Sequence, residues 1–323
     1  MESHKENLET ALIGLDVGGT KTAAGVVLFP GGRVVCRKVI PTNPKRPGES
    51  VLREILDLSK ELVLEASTLG YDVRGIGLGV AELVDSDGNI ASSQTIDWIG
   101  LPVLSAFAEV APVVIDSDVR AAALAEALLG IGKTFGEFVY VTVGTGISCC
   151  LVQDGKPHCG AHGNALVMGT APLSMTCPEC GVRSHPVLEE FASGPALRRR
   201  YSEATQVAIP AGVEVTDLAE GGDLHAVEVV RTAGEALGVN VAFLVNILDP
   251  EAVIVGGGLG LDKRLYWQSM VESARSHIWA DSSKRVPILR AQLSGDAGLV
   301  GAAACYWQSN GRLRSMVGER LGK

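Results

Sequence analysis

A chain of 323 residues with a 46% apolar fraction can bury two modest cores. With aromatics at only 5% those cores must be aliphatic and alanine-rich, which suits layered α/β packing rather than an aromatic-rich β sandwich. A net charge of −9 argues against non-specific nucleic-acid binding, which draws on clustered Lys and Arg, yet leaves room for small anions held by backbone N–H groups.

Residues 1–10 are polar, show no signal peptide and read as a flexible lead. From Leu12 to Phe29 the sequence LIGLDVGGTKTAAGVVLF reads as strand, glycine turn, strand. FPGGRVV supplies a hairpin turn and RVVCRKVI a third strand. Between Ser50 and Leu69, Val51, Ile55, Leu56, Leu58, Leu62 and Val63 keep helical spacing, and Gly70 stands where a C-cap would. VRGIGLGVAELVD is a strand running into a loop at Glu82, and APVVIDSDV is a short buried strand before an alanine-rich helix from Arg120 to Leu129. The opening pattern then returns in FVYVTVGTGISCCLVQDGK, with its glycines in the same places. This weak repeat points to two related α/β lobes. Residues 160–195 are irregular and gather Cys, His, Gly and Pro. Ala226 to Leu248 reads as a long apolar helix, EAVIVGGGLG as a buried strand ending in glycines, and GDAGLVGAAACYWQ as a closing helix able to return to the first lobe. No apolar run nears the roughly 20 residues of a bilayer span, so a membrane is not an expected partner, and the acidic charge makes nucleic acid an unexpected one as well. The cytoplasm is the expected compartment, where the seven cysteines would be thiols or metal ligands rather than disulfides.

Three strand-to-glycine turns carry the functional signal: Gly18-Gly19-Thr20, Gly144-Thr145-Gly146 and Gly256-Gly257-Gly258. Glycine there lets backbone N–H groups approach an anion, and Thr20 and Thr145 add hydroxyl donors. Any one of them taken alone is adequately explained as a turn. Taken together they favour nucleotide binding. Asp16 cannot hold a phosphate, since like charges repel, but it can hold a metal-bound water; Mg²⁺ binds through one or two carboxylates plus phosphate oxygens. No Gly-Lys-Ser/Thr closes a Walker A loop, and GLGVAE lacks the dinucleotide glycine pattern.

These segments resemble the sugar kinases of the actin and hexokinase superfamily, and within it the ROK family (repressors, open reading frames, kinases). LDVGGTKTAAGVV resembles the first phosphate motif of that family, VTVGTGISCCLVQDGK the second, NILDPEAVIVGGGLG the adenosine motif and GDAGLVGAA the closing helix. DSDVRAAALAEALLG falls where the family has its Glu-Asn-Asp-Ala-Asn-Ala-Ala run. The resemblance implies two actin-like (ribonuclease H-like) α/β lobes with an interdomain cleft. The first would be 11–118 completed by 297–323, and the second 119–296 with its Cys/His-containing loop. It implies ATP and Mg²⁺ as cofactors, a sugar or sugar-like polyol as substrate, and a homodimer. Asp118 becomes the candidate general base. Asp16 would orient Mg²⁺ through water. Gly18, Gly19, Thr20, Lys21, Gly144, Thr145 and Gly146 would hold phosphates, and Gly257 and Gly258 the adenosine. On the residues alone, Asp116 or Asp118 could equally be a cap of the following helix.

Departures from the family pattern are confined to the acceptor side. Ser117 and Arg120 stand where the family has Asn on either side of the catalytic Asp, and Glu82 where a Gly-Pro-Gly loop is expected. Val167 and Thr170 replace the Glu and His of the sugar-binding Glu-x-Gly-His, and of the paired carboxylates only Glu189 remains. The expected substrate contacts are therefore Glu82, Ser117, Asp118, Arg120 and Glu189. The expected acceptor is a non-standard hexose, amino sugar or cyclitol. For Glu82 and Arg120 a solvated loop end is the competing reading.

The family's structural zinc motif is altered too: in CPECGVRSHPVLEE, Cys177 and Cys180 form a Cys-x-x-Cys pair and His185 falls where a third Cys would be. Zinc accepts Cys and His alike, with His158, Cys159 or His162 as candidate fourth ligands. A redox pair or two plain thiols are the alternatives. An ATP-dependent carbohydrate or cyclitol kinase is thus the primary reading. Its rival is a catalytically silent nucleotide- or metabolite-binding regulatory member of the same family.

Overall fold

The computed structural model describes residues 9–176, 181, 183–209, 214–262 and 264–310. The chain opens with β1 (Thr10–Val17), β2 (Lys21–Phe29), β3 (Arg33–Pro41), α1 (Gly48–Thr68), β4 (Val73–Val80), α2 (Val103–Ala108), β5 (Val113–Ser117) and α3 (Asp118–Leu128). Next come β6 (Glu137–Val143), β7 (Ile147–Gln153), β8 (Lys156–Pro157), β9 (Met175–Thr176), β10 (Arg183–Ser184), α4 (Leu188–Ala192) and α5 (Gly194–Thr205). It ends with α6 (Val215–Glu220), α7 (Leu224–Leu248), β11 (Ala252–Gly256), α8 (Leu265–His277), β12 (Ile288–Arg290) and α9 (Ala297–Ser309).

Two compact units result. One holds the described parts of 1–130, 159–164 and 296–323, and the other those of 131–158 and 165–295. Each has a five-stranded sheet, in the orders β3-β2-β1-β4-β5 and β8-β7-β6-β11-β12. In both, the first three strands form antiparallel hairpins and the last two join in parallel. The two sheets therefore share one topology, that of the actin-like α/β fold, and the repeated strand–glycine turn–strand pattern is the central hairpin of each.

The sequence explains the layering. β1 is apolar on both faces because helices cover both. Ala11, Ile13, Leu15 and Val17 join one core with Val51, Leu52, Ile55, Leu58 and Leu62 of α1. Burying each of those leucines or isoleucines contributes about 1.5–3 kcal/mol. On the other face, a side chain at Gly14 would run into the Leu299 carbonyl of α9. The closing helix thus returns to the first unit. In the second unit β11 is wholly buried, and α7 lays Val230, Ala233, Leu237, Val241 and Val245 into the same core at three- and four-residue spacing. α3 packs on α9, so the first unit runs through α3 to Gly130. α3 begins at Asp118, two residues earlier than its alanine-rich stretch suggests. Its N-cap is Ser117, whose hydroxyl accepts from the Arg120 N–H, rather than Asp116 or Asp118. Among the described residues no helix is long and apolar enough to cross a membrane.

Candidate active site

In the first unit the β1–β2 turn carries Gly18, Gly19 and Thr20, closed by the Gly18 N–H donating to the Lys21 carbonyl at 3.2 Å. Thr20 and Lys21 are exposed. Asp16 lies just before the turn, at the carboxyl end of β1. The backbone of α9 presses on it, and a side chain at Gly298 would collide with both Asp16 carboxylate oxygens. Desolvation pushes the Asp16 carboxyl up to about 6, against the downward pull of Lys21. One desolvated carboxylate beside a glycine turn fits a hydrated Mg²⁺, which keeps several waters and needs few protein oxygens.

Asp118 opens α3, half-buried, with its Oδ1 accepting from the Val119 N–H at 2.6 Å. Arg120, two residues beyond Asp118, is buried, only 6% exposed. Its Nε donates to Asp116 Oδ1 at 2.5 Å, its Nη1 to the Gly163 carbonyl at 2.7 Å and its Nη2 to the Val84 carbonyl at 2.8 Å. Gly163 stands at φ +76°, and any Cβ there would meet the Val84 carbonyl, which is why the two carbonyls can share one guanidinium.

Glu82 is also 6% exposed. Its Oε1 accepts from the N–H groups of Thr95 at 2.5 Å and Ile96 at 2.7 Å. Its Oε2 accepts from the Gln94 N–H at 2.9 Å and from the Ser92 hydroxyl. Four donors satisfy a carboxylate that accepts about four. Glu82 and Arg120, the two charges expected to face an acceptor, are thus engaged by the chain's own backbone together with the Ser92 and Asp116 side chains, and neither is a solvated loop end. The sequence gives no local sign of Thr95, Gly163 or Gly298 as site neighbours, because each matters through backbone that arrives from far along the chain.

In the second unit, β6 and β11 are parallel neighbours, so the Gly144-Thr145-Gly146 turn and the Gly256-Gly257-Gly258 turn leave the sheet side by side. A Cβ on Gly144 would stand 3.8 Å from the Gly258 nitrogen. Gly257 has φ +80°, and a side chain there would strike the backbone of Val143. Ligands of open α/β sheets bind at such carboxyl strand ends. Glu189, exposed at the start of α4, accepts the Ile147 N–H at 2.7 Å and faces Gly146 and Gly169. Val167 is 42% exposed, and the exposed Thr170 spends its hydroxyl on the Val167 carbonyl at 2.9 Å. Cys177 and Cys180 lie outside the described residues, and His185 is exposed. Among the described residues no three His, Cys, Asp or Glu side chains gather as a metal cluster.

With these sites in place, comparison with known proteins is informative. The ROK family pattern matches residues 12–309. A glucokinase of Streptomyces coelicolor is 31% identical over 313 residues, covering 90% of this chain and 96% of its own. The crystal structure of a ROK family glucokinase from Streptomyces griseus, in complex with glucose and AMPPNP, is 31% identical with a TM-score of 0.77, covering 91% of this chain and 98% of that one. That of a ROK hexokinase from Thermus thermophilus is 32% identical with a TM-score of 0.72, covering 93% and 99%. A match spanning the strands, the three glycine turns and the closing helix leaves one conclusion: the chain belongs to the ROK family.

Proposed function

We propose that this protein transfers the γ-phosphoryl group of ATP to a hydroxyl of a sugar or sugar-like acceptor. The observation that carries the reading is the pair of adjoining glycine turns at the carboxyl ends of β6 and β11, where open α/β sheets bind their ligands. The similar S. griseus enzyme, crystallised with glucose and AMPPNP, supports the same assignment.

In this reading Asp118 accepts the acceptor's hydroxyl proton as the new O–P bond forms and the bond to the leaving ADP breaks. Gly18, Gly19, Thr20, Gly144, Thr145 and Gly146 are the residues assigned to phosphate oxygens. Gly257 and Gly258 leave room for the adenosine. Asp16 is the residue that would hold Mg²⁺ through water, and the ion would supply charge neutralisation on the phosphates. With Val167 and Thr170 in place of a Glu–His pair, two charge-assisted contacts of about 1.5–3 kcal/mol each are missing. The acceptor is accordingly a non-standard hexose, an amino sugar or a cyclitol, with Glu189 and Asp118 as its charged contacts. A structural zinc on Cys177, Cys180 and His185 and a homodimeric assembly complete the proposal, to be read by metal analysis and by sedimentation.

A panel of sugars and cyclitols with ATP and Mg²⁺, followed by ADP release, tests the activity. Asp118→Asn is expected to lower kcat by about 10²–10⁴-fold while ATP still binds. Calorimetric ATP binding with no acceptor phosphorylated would instead identify a regulatory member of the family.

A further inference from the structure

We infer that Arg120 is a positioning residue for Asp118: its guanidinium clasps three separate segments to the first turn of α3 and so fixes the direction in which the Asp118 carboxylate faces the acceptor. The inference rests on the proposed kinase reading, and it replaces the expected role of Arg120 as a substrate contact.

The geometry leaves Arg120 little else to do. Every guanidinium nitrogen already donates: Nε to Asp116 on β5, Nη1 to Gly163 on the 159–164 loop and Nη2 to Val84 on the loop after β4. The side chain is buried, so no face of it is offered to a ligand. Its own backbone N–H is fixed as well, donating to the Ser117 cap. One residue thus holds the start of α3 from both its main chain and its side chain. Asp118 lies in the turn so held, and its own Oδ1 accepts the Val119 N–H between them.

The clasp also links the two altered positions. Glu82 gathers residues 92–96 around its carboxylate, and two residues later the Val84 carbonyl accepts from Arg120. The 159–164 loop belongs to the first unit although the residues flanking it on both sides belong to the second. The Gly163 carbonyl is one of its attachments there. A fixed planar fork with five N–H groups can serve three acceptors at once, whereas a lysine ammonium reaches from a single point. Arg120→Lys is therefore not conservative at this site.

The test compares wild type, Arg120→Met and Arg120→Lys in steady-state kinetics with ATP and the best acceptor, alongside hydrogen exchange without ligands. Misplacing a reacting group by about 1 Å costs on the order of a hundredfold. Both variants are expected to lose about tenfold to a hundredfold in kcat, with KM for ATP and acceptor within about threefold of wild type. Amides of 119–121 and 160–164 are expected to exchange faster in both, while those of β1 and β4 keep their protection. Should Arg120→Met fail to fold, Arg120→Lys alone decides. Wild-type kcat in the lysine variant, or a raised acceptor KM with kcat unchanged, overturns the proposal, the latter in favour of direct contact. If wild type phosphorylates no acceptor, the kinase reading fails. The exchange comparison then still decides whether the clasp exists, since unchanged exchange at both segments refutes it on its own.

Discussion

The N–H of Thr95 donates to the Glu82 carboxylate at 2.5 Å, while the Thr95 methyl carbon lies 2.6 Å from where a Cβ on Gly19 would stand. A buried acid thereby holds one loop against the first phosphate turn. Glu82→Gln keeps the shape but turns an amide NH₂ toward backbone donors. It is expected to cost about 1–3 kcal/mol of stability, measured by urea denaturation, and to weaken ATP binding by calorimetry because the wall behind Gly19 loosens. An unchanged midpoint would mean that the carboxylate is dispensable.

Gly257 stands in the left-handed region against the Val143 backbone. Gly257→Ala places a Cβ where none fits and asks an L-residue for φ +80°. Loss of ATP binding by at least about tenfold is expected, with a thermal midpoint lower by several degrees for a cost of about 1–3 kcal/mol. Gly258→Ala, where the same geometry leaves open space, is the matched control for collision with the protein.

The Asp16 carboxyl is raised from 3.8 to about 6 by desolvation. The fold therefore favours its neutral form. That contribution is complete below about pH 4 and is lost as pH climbs through about 6, so the ligand-free protein should lose up to about 3 kcal/mol from this group over that window. Asp16→Asn should remove this part of the slope in thermal midpoints taken from pH 4 to 7. Binding of Mg²⁺ with ATP needs the ionised form and should strengthen over the same window; a pH-independent affinity would remove Asp16 from the metal site.

Val167 and Thr170 mark the place where the family's Glu and His are missing, and both are accessible. The double change Val167→Glu with Thr170→His should lower KM for glucose by about tenfold or more, since each charge-assisted contact contributes about 1.5–3 kcal/mol. The preferred acceptor of the parent protein should lose ground in the same assay. No change in the ratio of kcat/KM values would place acceptor choice elsewhere.

Much of the scaffold was legible because its signals are local. A buried strand such as VIVG, or a run such as VGTG following alternating Val and Tyr, can form little else, and the returning pattern pointed to two related α/β lobes. The acceptor side was less legible. Glu82 and Arg120 read as charges, and nothing near them in sequence says that residues ten to fourteen positions later will fill one carboxylate, or that the carbonyl of residue 163 will meet a guanidinium at 120. Ser117 was weighed against a missing Asn, yet its hydroxyl is committed to the helix it begins. Long-range backbone decides Glu82 and Arg120, and the adjoining helix turn decides Ser117.

The helix α9 covers the glycine face of β1, although some 280 residues separate them along the chain. On the ribosome, the earlier strands must therefore wait for a segment made much later, and the second sheet has all its own helices before the first one is sealed. Nascent chains stalled before residue 297 would carry a half-open apolar surface, and it is there that a chaperone would be expected to bind.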